Sequence, residues 1–236
     1  MRARWLALAG VAVVVVAVLS IHPSPGAPQD RPLAALTALA PGQPLRLTVM
    51  GTSLTADYNW PERLAAALAT CLGREVDLAR VARAGFGSAW GRGQAADVLA
   101  GNPDILLMEF AINDADMLDG VSLAVGAAAH RALIGEVRAA RPDLRIALMT
   151  MSPAQGLRGL LRPRLGAHYA QYRLLADSLG LGLVDLYPRW MARPRKTRGL
   201  AADGLHPTTD TASDVILPVL LPYLGRAAGA DCAAPE

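Results

Sequence analysis

Along the 236 residues of this chain, short apolar runs alternate repeatedly with segments of helical spacing, a pattern that few folds can accommodate. Leu45–Met50 reads as a strand ending at Gly51, and Pro61–Leu72 as a helix with Asn59 placed to cap it. Glu75–Ala82 is a second strand, and the run Ile105–Phe110 has the length of a strand buried on both faces. Ser122–Ala140 has helical spacing and stops before Pro142. Arg145–Met151 is a fourth strand, Tyr169–Leu179 a helix and Gly182–Leu186 a fifth strand. Thr208–Leu224 is the last helix, which Pro218 and Pro222 must kink or end. Alternation of this kind implies parallel strands joined by right-handed crossovers, hence an α/β protein with a three-layer α/β/α sandwich around a parallel sheet of about five strands.

The first residues follow a different pattern. Arg2 and Arg4 precede an apolar run from Trp5 to about Ile21, and a Pro-rich break follows from His22 to Pro28. This order is that of a secretory signal, whose apolar region spans roughly 7–15 residues, or of a spanning helix of roughly 17–25. Residues 1–29 are therefore expected to be a signal peptide or an N-terminal membrane anchor, and the rest to lie in the periplasm, outside the cell or on the outer face of the cytoplasmic membrane. Residues 30–44, punctuated by Pro32, Pro41 and Pro44, read as a linker. The domain is expected over 45–227, with a C-terminal tail over 228–236. A formal net charge of +3 is too small to argue for nucleic acid, and no nucleic-acid motif occurs. Membrane contact is expected only through the N-terminal segment.

In parallel sheets functional groups collect at the carboxyl ends of the strands. Ser53, in Gly51-Thr52-Ser53-Leu54-Thr55, follows the first strand and precedes a helix, where negative charge is favoured; by itself the segment reads first as an ordinary turn or helix cap. Asp203-Gly204-Leu205-His206-Pro207 sets an Asp three residues before a His on a tight turn, close enough to orient the ring. Pro207 suits the first position of the last helix and His206 the position before it. His22, His130 and His168 lack such a neighbour, and the latter two read as surface or satisfied core residues. Asn113, in Phe110-Ala111-Ile112-Asn113-Asp114, offers an amide donor to a developing oxyanion. Ala84-Gly85-Phe86-Gly87-Ser88 offers glycines that let a substrate approach backbone N–H groups. A nucleophile elbow, G-x-S-x-G, is not formed around Ser53, and no H-E-x-x-H or paired His/Cys spacing points to a metal; no cofactor is expected.

Together the four segments resemble the blocks of the SGNH (GDSL-like) hydrolases: a serine in a G-D-S-L-like block, a glycine, an asparagine in G-x-N-D, and D-x-x-H. The resemblance spans about Leu45 to Tyr223. It implies a flavodoxin-like sandwich and acyl transfer with Ser53 as nucleophile, His206 as base and Asp203 orienting it. Gly87 and Asn113 become oxyanion donors beside the Ser53 N–H, with Gly85 the alternative to Gly87. Thr52 stands where Asp is usual and Ala111 where Gly is usual. The function implied is a serine esterase acting on a small-molecule or carbohydrate ester, such as O-acyl groups of a cell-envelope carbohydrate, or on a lipid ester. The alternatives are acyl transfer to a sugar and noncatalytic carbohydrate binding on the same fold. Arg189, Arg193, Arg195, Lys196 and Arg198, in a long loop between Tyr187 and Asp203, are expected to border the site and either steer an acidic substrate or remain solvated. Cys71 and Cys232 are the only cysteines. Both helices that lead to them must start near the triad, and the resemblance puts these helices on one face, so a disulfide is expected at the opposite pole.

Overall fold

The computed structural model describes residues 26–37 and 39–233; the apolar run and its two arginines lie outside them. Five parallel strands form one sheet in the order β2-β1-β3-β4-β5. They are β1 (Leu45–Gly51), β2 (Val76–Ala82), β3 (Ile105–Glu109), β4 (Arg145–Thr150) and β5 (Gly182–Asp185). The helices are α1 (Ser53–Ala56), α2 (Trp60–Leu72), α3 (Ser88–Gly91), α4 (Ala95–Ala100), α5 (Ala111–Asp114), α6 (Leu123–Ala140), α7 (Gly156–Leu160), α8 (Leu165–Leu179), α9 (Leu186–Ala192) and α10 (Thr209–Ala227). The helices surround the sheet as a three-layer α/β/α sandwich. The apolar runs of β3 and β4 are continuous rather than alternating because these strands are covered on both faces: every residue of β3 is buried. Register sets the site, since Gly51 pairs with Ala82 on one side and Glu109 on the other, bringing three strand ends to one level.

Several boundaries differ from expectation for local reasons. Ser122 caps α6 by accepting from the Val125 N–H, so it precedes the helix instead of opening it. Asn59 sits at the N-cap of α2 but makes no side-chain cap bond. Thr208 caps α10 by accepting from the Thr211 N–H, so Pro207 is not a helical residue and instead bridges to Leu200. Pro218 and Pro222 lie within α10, which runs on to Ala227. Each proline removes a helical hydrogen bond, and burial of Val215, Ile216, Leu217, Leu220, Leu221 and Leu224 holds the helix through them. The loop expected from Tyr187 to Asp203 begins with α9, whose Leu186 and Trp190 are fully buried.

Residues 30–37 are not a free linker. Arg31 pairs in antiparallel fashion with Leu183 at the outer edge of β5, with N···O distances of 3.0 and 2.9 Å. Asp30 accepts from the Asp185 N–H and pairs with Arg189, and Leu33 joins the core. The segment covers an edge that would otherwise expose unpaired backbone groups. At the far pole Cys71, at the end of α2, is bonded to Cys232, beyond α10, with Cα atoms 5.7 Å apart. Gly225 leaves the room the bridge needs, since a Cβ there would lie 2.6 Å from the Cys232 sulfur.

Candidate active site

The turn from β1 into α1 presents Ser53. Thr52 is extended and accepts from the Leu54 N–H, which caps α1. Ser53 is then the first helical residue, so its N–H has no intrahelical acceptor, and it bonds to nothing else among the described residues. Beneath the turn lies Glu109, fully buried at the end of β3. One of its carboxylate oxygens accepts from the Thr52 N–H at 2.7 Å and from the Thr52 and Thr55 hydroxyls at 2.9 Å each. Gly51 carries no side chain because a Cβ there would collide with this carboxylate. Sequence reasoning passed over Glu109; its one signal was a carboxylate interrupting the apolar run ILLMEF. Burial pushes its pKa up to about 7 against the opposing hydrogen bonds from Thr52 and Thr55, and the charge of Asp114 adds to the rise.

A consequence for stability follows from that shift. Between about pH 4.5 and 7 the folded protein holds a proton on Glu109 that the unfolded chain has released, so this group's contribution is present at low pH and is lost as pH rises. His130 and His168, whose pKa values burial lowers, act in the opposite direction. The informative quantity is therefore the difference between Glu109→Gln and the parent. The amide keeps an oxygen for the Thr52 and Thr55 donors and carries no charge. Its stability relative to the parent should rise through this window by up to about 3 kcal/mol, as measured by urea unfolding at a series of pH values. A difference independent of pH would show that Glu109 does not titrate there.

The turn carrying Asp203 and His206 is held from three sides. The Gln155 N–H donates to the Gly204 carbonyl at 2.6 Å, the Tyr58 hydroxyl to the Pro207 carbonyl at 2.7 Å, and the Ala201 N–H to the His206 carbonyl at 2.7 Å. Gly204 has φ +73°, which favours glycine, and a Cβ there would meet the Gln155 carbonyl. Asp203 uses one oxygen to accept from the Leu205 and His206 N–H groups and the other to meet His206 Nδ1 at 2.6 Å. Partial burial raises its pKa, but the bonds from the His206 ring and the two N–H groups outweigh this and lower it to about 2. Asp203 is thus an anion at neutral pH, so Nδ1 is the ring's donor and Nε2 its acceptor. His206 Nε2 lies 2.8 Å from Ser53 Oγ.

Asn113 is buried on α5, and its Nδ2 donates to the Phe86 carbonyl at 2.9 Å, leaving a second N–H. Gly85 and Gly87 are distinguished by their surroundings. Gly85, at φ +79°, is a turn residue in open space. Gly87 is extended and lies against Asp114, where a Cβ would block the carboxylate from accepting the Ser88 N–H at 2.8 Å. The Gly87 N–H makes no bond to the described residues. Behind this loop the Tyr172 hydroxyl accepts from the Phe110 and Ala111 N–H groups at 2.6 and 3.1 Å. Its proton then goes to His130 Nε2 at 3.0 Å, and His130 Nδ1 donates to the Gly126 carbonyl. His130 is a satisfied core residue, and burial keeps it neutral. Of the five cations expected near the site, Arg189 is directed elsewhere, to Asp30 and the Asp185 carbonyl.

The sequence profile of the GDSL-like Lipase/Acylhydrolase family matches residues 48–212, and the chain belongs to that family. It is accordingly a serine ester hydrolase. The fold is shared with a lipase/acylhydrolase from Enterococcus faecalis at 22% identity and a TM-score of 0.66, covering 76% of this chain and 95% of that one. An acetylxylan esterase from Geobacillus stearothermophilus, crystallised as a catalytic mutant, aligns at 18% identity and a TM-score of 0.64 over 84% of this chain and 100% of its own. A GDSL-like lipase from Bacteroides thetaiotaomicron aligns at 16% identity and 0.59 over 77% and 88%. No curated protein matches the sequence.

Proposed function

We propose that the protein cleaves carboxylic esters through an acyl-Ser53 intermediate, and that its substrate is an O-acyl group on a cell-envelope carbohydrate or lipid. The observation that carries the reading is the unbroken line from Asp203 through the His206 ring to Ser53 Oγ. His206 Nε2 takes the Ser53 proton as the alkoxide attacks the ester carbonyl. The Ser53 and Gly87 N–H groups and the Asn113 amide receive the oxyanion. His206 then passes the proton to the leaving alcohol, and a water activated by the same ring hydrolyses the acyl-enzyme. Asp203 offsets the imidazolium charge without taking the proton. A triad that is partly open to solvent, with the Asp203 and His206 side chains 37% and 32% exposed, suits an acyl group borne on the outside of a larger molecule. The disulfide suits an oxidising compartment, and with the N-terminal pattern it supports a place outside the cytoplasm. The test is covalent. A fluorophosphonate should label Ser53 stoichiometrically and abolish turnover of p-nitrophenyl acetate. Labelling of another residue, or turnover that persists in labelled protein, would sink the assignment.

A further inference from the structure

Beside the triad lies a cleft of about 720 Å³ between residues 153–166 and the stretch from Tyr187 to Arg198. It shares a wall with the site, because Gln155 lines the cleft and also holds Gly204 of the Asp203–His206 turn. Its apolar walls come from Leu157, Leu160, Leu165, Tyr187 and Met191, of which Leu157 and Leu160 are 72% and 52% exposed. No carboxylate among the described residues lines it; its charged residues are Arg162, Arg195 and Arg198. Arg162 is neutralised by Asp116 at 2.9 Å. Arg195 and Arg198 have no carboxylate partner among the described residues, and neither do Arg158, Arg164, Arg193 and Lys196 nearby.

Both arginines are held in place by neutral acceptors. Arg198 bonds the Arg193 and Met191 carbonyls, and Arg195 bonds Gln155 Oε1 at 3.3 Å. That last bond occupies the acceptor end of the Gln155 amide. Its Nε2 is buried with no acceptor among the described residues, and a buried donor left unpaired is costly unless a ligand completes it. Two uncompensated guanidinium groups and an unpaired amide donor over apolar walls match an anion attached to an apolar chain. Several surplus cations favour a phosphate over a singly charged carboxylate.

We infer that this cleft binds the phosphate-bearing part of the substrate, and that the enzyme prefers acyl esters of anionic, phosphate-carrying amphiphiles to neutral ones. The inference rests on the esterase reading above, and the experiment keeps the two separable. The substrates are 1-octanoylglycerol 3-phosphate, 3-octanoylglycerate as its carboxylate-ended counterpart and neutral 1-octanoylglycerol, all below their aggregation concentrations. The ratio of kcat/KM for the phosphate ester over its neutral partner should be at least about tenfold at low salt and fall as salt is added. In Arg195→Gln/Arg198→Gln it should collapse toward one, and Arg195→Lys/Arg198→Lys should restore part of it. Should the double variant fail to fold, calorimetry on the parent protein decides, with octyl phosphate expected to bind at least about tenfold more tightly than octyl glucoside. Equal ratios in parent and variant, or equal binding of the two octyl ligands, would overturn the inference. A preference for the carboxylate-ended ester equal to that for the phosphate would overturn the choice of phosphate. Loss of turnover on every ester, with octyl phosphate still bound, would instead count against the esterase reading alone.

Discussion

Ser53→Ala is expected to lower kcat on a short-chain p-nitrophenyl ester by on the order of 10⁴–10⁶, with His206→Ala costing about as much. The two changes remove one act: without Oγ there is no nucleophile, and without Nε2 at 2.8 Å nothing takes its proton. The double variant should therefore be no worse than either single one, because residues that work as a unit are not additive. Asp203→Asn should lose roughly 10⁴ by favouring the wrong tautomer at Nδ1, which now faces an anion at 2.6 Å. Asn113→Ala should lose about 10²–10³, the usual cost of one oxyanion donor. Steady-state kinetics with the four single variants and the double variant, each checked for a parent-like melting transition, measures the set. Ser53→Ala retaining more than a tenth of parental kcat would remove it as nucleophile, and a double variant far below both singles would show that the two residues act independently.

The second large effect is on stability. The Cys71–Cys232 bridge spans a sequence separation of 161 residues. In the chain-entropy treatment a loop of that length stabilises the fold by about 5 kcal/mol, and measured effects are typically ~2–4 kcal/mol. Cys71→Ala/Cys232→Ala should therefore melt about 5–15 °C below the parent, taking ~2–4 °C per kcal/mol at this size. Its kcat should be close to parental, since the bridge lies at the pole away from Ser53 and His206. Calorimetry under non-reducing conditions measures the shift. Thiol titration of denatured protein recovered from its own compartment should find no free sulfhydryl. Two titratable thiols there would contradict both the bridge and the proposed extracytoplasmic location.

How much was legible in the sequence depended on the range of the interaction. Strands β3 and β4 announce themselves because burial on both faces demands a continuous apolar run, as in ILLM and IALM. Ser53, Asp203 and His206 were legible only as a group: each alone fits a cap or turn, but all fall where one sheet gathers its strand ends. The short helices α3, α4, α7 and α9 were not, because at 4 to 7 residues they lie below the length at which a helix sustains itself. Tertiary fit makes them: Gly91 of α3, for one, packs so closely on the Phe110 ring that a Cβ would lie 2.7 Å from it. Glu109 was missed for a related reason. A buried carboxylate becomes interpretable only once the fold sets it beneath the turn that carries its partners, Thr52 and Thr55, more than fifty residues away in sequence. Thr52, which departs from the usual Asp of the block, makes two of those bonds.

The bridge also decides what a single cut can do. Ser53 precedes Cys71, whereas Asp203 and His206 fall between the two cysteines. A protease that nicks the exposed stretch around Pro194–Lys196 divides the chain into one piece carrying Ser53 and another carrying Asp203 and His206. Each piece retains one cysteine, so the two parts of the hydrogen-bonded line stay covalently joined. In a compartment that contains proteases, one scission at the rim leaves a two-chain molecule whose halves cannot diffuse apart.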